Sequence, residues 1–303
     1  MRFLIISAGA VGGYFGGRLA EKGEDVTFLV RENRQKQLNE NGLVIKSIHG
    51  DTILENPKTI RAGEETERFD VVLLGTKAYH LSTVIQDIKL FIHNDTMIIP
   101  MLNGMKHMDM LLEEFSDDQV MGGLCFIEST LDEDGAILQS SPIHEFVFGE
   151  RTVEQSERVA RLEQAFKGVN ASMKSSQHIM KDMWHKYMFI SALSGVTTLF
   201  KSAIGPIREA EGGSKLIKQL FTEIATIMRH ENAPISDGIE EVQIAKISDM
   251  TYEMKSSMLR DMEKGASVEA DHLQGYLLEL ADKHQLETTV LQAVYTNLKV
   301  YEL

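Results

Sequence analysis

The sequence predicts an α/β Rossmann-type N-terminal domain with a mostly parallel sheet, followed by an all-α C-terminal domain. Three observations predict it. Short apolar runs alternate with amphipathic segments from residue 2 to about 130, the pattern of a parallel sheet covered on both faces. The first apolar run breaks into five glycines within nine positions, LIISAGAVGGYFGG, close to the G-x-G-x-x-G turn of dinucleotide-binding units. Beyond about residue 175 the β signals stop and helical spacing takes over.

In chain order, RFLIIS is followed by VGGYFGGRLAEKG, VTFLVR by NRQKQLNENG, VVLLGT by HLSTVIQDIKLFI, TMIIP by MKHMDMLLEEF, and VMGGLCFI closes the series. The near-continuous apolar strands agree with burial on both faces. LVIKSI and DTILE, separated by His49-Gly50, read as an inserted hairpin. AILQS and HEFVFGE read as two antiparallel strands extending the sheet after the turn-prone LDEDG. VEQSERVARLEQAFKG reads as a helix leading out of the first domain. DMWHKYMFISALSGVTTLF, LIKQLFTEIATIMRHE, IEEVQIAKISDM and HLQGYLLELADKHQ are the helical segments of the second domain. Methionines there read as gap-filling core, or as a face for a homodimer. The expected domains are 1–175, binding a dinucleotide, and 176–303, serving substrate and dimerisation.

Composition excludes several classes. A chain of 303 residues, 43% hydrophobic, has enough apolar matter for well-buried cores. A formal charge of −14 argues against nucleic acid or an anionic membrane as partner. The single cysteine, Cys125, rules out an internal disulfide and suits a reducing cytoplasm. Arg2 with FLIISAGAV imitates a short signal peptide, but helical periodicity follows it. No run reaches a membrane span. The histidines are scattered without metal-ligand spacing, so no metal is expected.

The glycine turn departs from the motif at one place. Gly9 and Gly12 hold the second and third glycine positions, where backbone approaches phosphate and helix packs on strand, while Ser7 stands at the first. A serine is tolerated there if its dihedrals stay negative, so Ser7 reads as a variation at the least demanding of the three positions. The alternative is a turn that only permits close packing. After the second strand comes Arg31, with Arg34 a turn later, where NAD-preferring units carry an acid. Cations suit the 2′-phosphate of NADPH. Glu32 is the competing acidic residue, and a plain surface charge is the competing reading of Arg31. Lys77 and Asn103-Gly104 follow two further strands, on the edge where open α/β sheets bind ligands. Pro100, lacking an amide donor, reads as a strand exit.

With these residues in view, the chain resembles the ketopantoate reductase (2-dehydropantoate 2-reductase) family over essentially its whole length. The matching stretches are SAGAVGGYFGG, the VR at 30 to 31, TKAYH at 76 to 80, LNGM at 102 to 105, WHK at 184 to 186, SSMLRDME at 256 to 263 and VEAD at 268 to 271. The resemblance implies NADPH-dependent reduction of a 2-oxo acid in a cleft between a Rossmann and a helical domain, most simply 2-dehydropantoate to pantoate in cytoplasmic pantothenate biosynthesis. It implies that Ser7, Gly9, Ala10, Val11, Gly12, Arg31, Lys77 and Asn103 bind the cofactor. It makes Lys186 the general acid, with Glu269 and Asn103 beside it in catalysis, and Ser257, Ser194 and Asn103 substrate ligands. The chemistry is coherent in itself, because a ketone receiving hydride builds negative charge on oxygen and needs a proton donor and dipoles there.

Each of these residues has an ordinary reading too. Lys186 can snorkel from an apolar helix, although Ile190, Ser194 and Thr197 share its face. Glu269 can serve a helix start, and Ser256 and Ser257 can be two solvated hydroxyls. His185 and Trp184 read as packing residues. Ile190, Ser194 and Met254 stand where the family often has asparagines, and His80 where it often has glutamine. Those departures leave open a reductase of a more apolar 2-oxo acid, or a non-catalytic NADP(H)-sensing protein.

Overall fold

The computed structural model describes residues 1–152 and 156–303. By internal contacts the chain divides into two units, Met1–Leu102 with His107–Ile179, and Asn103–Lys106 with Met180–Leu303.

The first unit runs β1 (Arg2–Ile6), α1 (Ala10–Lys22), β2 (Asp25–Leu29), α2 (Glu32–Asn41), β3 (Leu43–Ser47), β4 (Thr52–Leu54), β5 (Lys58–Ile60), β6 (Phe69–Leu74), α3 (Leu81–Ile88), β7 (Ile92–Pro100), α4 (Lys106–Glu114), β8 (Gly122–Leu131), β9 (Ile137–Gly149), α5 (Glu157–Phe166) and β10 (Ser172–Ser175). Its first sheet has the order β5-β2-β1-β6-β7, and every pairing is parallel. Phe3, Leu4 and Ile5 of β1 have no exposure, as expected of a central strand covered on both faces. The chain leaves β1 for β2 on one side and later places β6 on the other. Strand order therefore reverses at β1, and the carboxyl end of β1 opens onto a topological switch point, where folds of this kind bind ligands.

Three expectations about strands change. AILQS and HEFVFGE are one continuous strand, β9, in a second sheet of order β10-β9-β3-β4, with β8 antiparallel to β9. Gln139, Ser141 and their neighbours bond locally, Gln139 Nε2 donating to Ser141 Oγ at 3.2 Å, so the polar QSSPIH stretch stays extended instead of turning. VMGGLCFI joins the first sheet only through the parallel bridge Ile98↔Val120 before its strand passes to the second sheet. In KLFI only Ile92 leaves the helical segment, because α3 tightens into a 3-10 turn over Lys89–Phe91 and Ile92 already begins β7. The hairpin of β3 and β4 is antiparallel, as expected. The helix read from Val153 begins at Glu157, capped by Ser156 accepting from Val159 N, and Val153, Glu154 and Gln155 lie outside the described residues.

The second unit is helical: α6 (Ile179–Phe200), α7 (Ile204–Glu209), α8 (Gly213–His230), α9 (Ile239–Asp249), α10 (Ser257–Glu263), a π-helical segment Asp271–Gly275, α11 (Tyr276–Lys283) and α12 (Thr289–Tyr301). Every residue of α6 from Ser191 to Thr198 is buried, so it is an interior helix over that stretch. Met183, Met188, Met228, Met258 and Met262 are core residues. No described helix is long and apolar enough to cross a membrane.

Candidate functional site

In the first unit the site begins where β1 ends. Ser7 N–H donates to Leu29 O at 3.1 Å, holding the chain to β2 as it turns. Ser7 itself has φ 73, the left-handed region that costs a side chain with a Cβ roughly 1–2 kcal/mol. The reading of Ser7 as a negative-φ residue at the least demanding glycine position is therefore corrected. Gly9, at φ −82 and ψ −166, adopts a backbone open to any residue, and a Cβ there would meet only Ser7 Oγ at 3.1 Å. Gly12 is the sterically fixed position: its Cβ would lie 2.3 Å from Ser7 O. The facing glycine is Gly75, whose own Cβ would fall 2.6 Å from Gly12 Cα. Gly75 N–H donates to Ile6 O at 3.2 Å, tying the end of β6 to the same turn.

This arrangement suits a pyrophosphate. The first amides of α1, from Ala10, Val11 and Gly12, have no partner four residues back within the helix, and a helix N-terminus favours negative charge. Backbone meets backbone where Gly12 and Gly75 approach, so no side chain stands in the way.

Beside the turn lies a pocket of about 450 Å³ lined by Ser7, Ala8, Arg31, Arg34, Arg61, Thr76, His80 and Asp87 among others. Arg31 is exposed at the N-cap of α2, with a guanidinium nitrogen 3.4 Å from His80 Nδ1. Burial, and then the Arg31 charge, hold the His80 imidazole below its usual range, so it sits beside Arg31 as a neutral ring. Glu32 belongs to the first turn of α2, not to a longer β2. Arg34 acts differently, its Nε and a terminal nitrogen donating to Ala8 O at 3.1 and 2.8 Å and bracing the turn from outside. Lys77 stands exposed between Thr76 and the short 3-10 turn Ala78–His80.

In the second unit, Lys186 Nζ donates to Asn103 Oδ1 at 2.9 Å. Asn103, four residues beyond Ile99 of β7, clusters with the helical unit. Gly104 follows it at φ 83, where a Cβ would stand 2.9 Å from Leu273 and 3.2 Å from the His272 ring. The neighbour of Lys186, Tyr187, is fully buried and donates to Leu273 O at 2.6 Å. One turn and two turns further along α6, Ser191 O and Ser194 Oγ accept from Gln274 Nε2 at 3.1 and 2.8 Å. Ser194 is thus a buried, engaged hydroxyl. His185 is structural, its Nε2 accepting from Ser236 N at 3.0 Å.

Ser256 and Ser257 prove unlike. Ser256 is buried and caps α10, accepting from Leu259 N at 3.1 Å and sharing a 2.7 Å hydroxyl contact with Thr197 on α6. This corrects the reading of the pair as two solvated hydroxyls. Ser257 is exposed in the first turn of α10. Glu269 is half-buried just before the π segment, with its carbonyl accepting from Leu273 N at 3.0 Å. Ile190 and Met254 are half-buried. Among the described residues no group of three or more His, Cys, Asp or Glu has metal-site geometry.

Sequence reasoning missed Gly75, Arg34's grip on Ala8, and the π segment that touches Asn103 and α6. Gly75 carried a signal, a glycine ending the strand next to β1. The π segment carried none, because its residues follow no single helical period.

Comparison with known proteins agrees with this arrangement. The ketopantoate reductase PanE/ApbA family model matches residues 3–152, and its C-terminal counterpart matches residues 178–302. An uncharacterized oxidoreductase of Bacillus subtilis (strain 168), YkpB, is 51% identical over 302 residues, covering 100% of this chain and 99% of its own. A solved 2-dehydropantoate 2-reductase from Geobacter metallireducens superposes with TM-score 0.88 at 25% identity, covering 99% of each chain. The ternary structure of a D-mandelate dehydrogenase with NADH and anilino(oxo)acetate has the same fold, with TM-score 0.87 at 19% identity and 100% of each chain covered. With both family models matched in order across nearly the whole sequence, the chain belongs to the ketopantoate reductase family of NADP-dependent oxidoreductases.

Proposed function

We propose that the protein reduces 2-dehydropantoate to pantoate with NADPH, Lys186 acting as general acid. The observation that carries the reading is the 2.9 Å contact of Lys186 Nζ with Asn103 Oδ1, which fixes an ammonium and an amide dipole together on the residues the resemblance assigns to catalysis. Bound NADPH supplies hydride to the ketone carbon. The turn of Ser7, Gly9, Ala10, Val11 and Gly12 would hold its pyrophosphate, Arg31 and Lys77 its other phosphate groups, and Asn103 its nicotinamide side.

The protein's own residues handle the oxygen. As negative charge develops there, the Lys186 ammonium stabilises it and then gives up a proton, yielding the hydroxyl and a neutral amine. Asn103 holds the ammonium in line meanwhile. Glu269 takes a hydrogen bond from the substrate, and Ser257, exposed and free of a core role, suits the substrate carboxylate. Residues 1–175 would form the cofactor domain and 176–303 the substrate and self-association domain.

A second reading, a reductase of a more apolar 2-oxo acid, is favoured by Ile190 and Met254, half-buried where family members often have amides. One fold serves both a ketopantoate reductase and a D-mandelate dehydrogenase, so pocket chemistry decides between them. The test is NADPH oxidation on a panel of 2-oxo acids including 2-dehydropantoate and phenylglyoxylate. 2-Dehydropantoate is expected to give the highest kcat/KM, and a clear preference for the aryl acid would replace it. Lys186→Ala is expected to lower kcat by roughly 100-fold to 10,000-fold while NADPH binding survives. Unchanged turnover removes Lys186 from the mechanism, and binding without turnover on any acid turns the protein into a sensor.

A further inference from the structure

Lys186 and Asn103 meet although they come from separate parts of the chain, one on a long interior helix and the other on a loop after β7. Both are held by consecutive residues of the π segment. Leu273 O accepts from Tyr187, the residue after Lys186. Gln274 Nε2 donates to Ser191 O and Ser194 Oγ, one and two turns further along the same helix. On the other side, His272 packs its ring against Gly104, at 3.2 Å from where a Cβ would be. The Asn103 main chain also hydrogen-bonds the His272 imidazole.

The direction of that bond can be read. Burial, and behind it the Lys106 charge, push His272 down to about 4, while the contact with Asn103 pulls the other way. A main-chain group that favours the protonated ring is an acceptor, so the imidazole donates to the Asn103 carbonyl. At neutral pH the ring is neutral and has one N–H to give, which leaves its tautomer fixed by this bond. Lys106, the nearby cation, is itself neutralised by Glu279 at 2.6 Å.

We infer that His272 is a positioning residue: by holding the Asn103-Gly104 turn from the π segment that also grips α6, it sets Asn103 Oδ1 against Lys186 Nζ. No sequence motif gave it this role. The inference deepens the reading of Lys186 as proton donor and rests on it, but the contact it explains can be measured without turnover.

The experiment is competitive acetylation of Lys186 by trace acetic anhydride across pH on the full-length protein, read by mass spectrometry of the Lys186 peptide. An amide oxygen accepting from the ammonium favours the unreactive, charged form. In His272→Phe, which keeps a ring but no N–H, the half-point of Lys186 labelling is expected to move to lower pH by about one unit. Asn103→Ala should give the same shift, and the double variant no more than either alone. His272→Asn or His272→Gln, which restore a donor, should return the half-point toward the original. His272→Leu carries the same expectation as the phenylalanine variant should that protein not fold. An unchanged half-point in the donor-free variants, an additive double variant, or an equal shift in all the replacements overturns the assignment. Full turnover by Lys186→Ala is a separate result: it removes the acid, whatever the labelling shows.

Discussion

Ser7 carries a cost that a glycine would not. Its φ of 73 is imposed from both sides, by β1 pairing up to Ile6 and by Gly12 lying under Ser7 O. Relief of roughly 1–2 kcal/mol of left-handed strain in Ser7→Gly is partly offset by about 0.5–1 kcal/mol of extra freedom in the unfolded chain. The expected outcome is a small gain, about 0.5–1 kcal/mol in urea unfolding, with NADPH affinity kept. Ser7→Val, β-branched at positive φ, should lose stability instead. A neutral valine variant would show that the turn is not held as described. At this scale the sequence was only partly legible. The glycine turn, Arg31 and Asn103 could be read from types and order, because each sits at an element end with a recognisable neighbour, whereas Lys186, inside α6, was singled out only by the family resemblance. Which of the three turn positions demands glycine could not, since that depends on φ at residue 7 and on the facing Gly75, 63 positions beyond Gly12. His272 was illegible for another reason, being a single histidine whose role is defined by a loop 169 residues earlier.

Among the elements, α6 and α10 are joined by hydroxyls rather than by apolar contact alone. Thr197 meets Ser256, and Ser256 in turn caps α10. Ser256→Ala removes a buried cap and should cost about 1–2 kcal/mol of stability. Ser257→Ala, at an exposed position, should stay within about 0.5 kcal/mol in the same urea titration, while raising KM for the 2-oxo acid. Equal stability losses would mean that the two serines share the cap. Most helices and parallel strands were readable from period and length, the strongest signals a sequence offers, but α7, α10 and α12 were not read. β5 and β10 were not, being strands of three and four residues that exist because β2 and β9 offer unpaired edges. β9 was misread because polar residues at its centre imitate a turn, whereas its two halves pair with β8 on either side of a register shift between Ile127 and Ser129.

For the molecule as a whole, acid is the informative perturbation. Burial lowers His272 to about 4, and burial also lowers His80, His144 and His185. Below pH 6.5 the unfolded chain takes up protons at these rings that the folded chain takes up only at lower pH, in the case of His272 at about 4. Stability is therefore full above pH 6.5 and falls as pH drops through that window. A depression of His272 from 6.5 to about 4 corresponds to a loss of about 3 kcal/mol from that group alone. The net charge of −14 works against this, because mild acid relieves self-repulsion. Comparing thermal midpoints of the native protein and His272→Phe at pH 7 and 4.5 cancels the global contribution. The native protein should lose more on acidification than the variant, and equal losses would show that the ring is not held neutral in the fold.

The π segment has a consequence for how such chains can vary. Gly275 N–H reaches back five residues to Ala270 O at 2.9 Å, so the turn holds one residue more than an α-helical turn would. Removing a single residue there would close the turn to an ordinary α-helical one and leave the helix downstream in place, while changing which side chains occupy the turn. His272 and Gln274 would then face different neighbours from those they grip now. A one-residue deletion at this point thus changes the grip of the turn and not the path of the helix, so a gap between relatives across residues 271–275 marks the loss of the π turn.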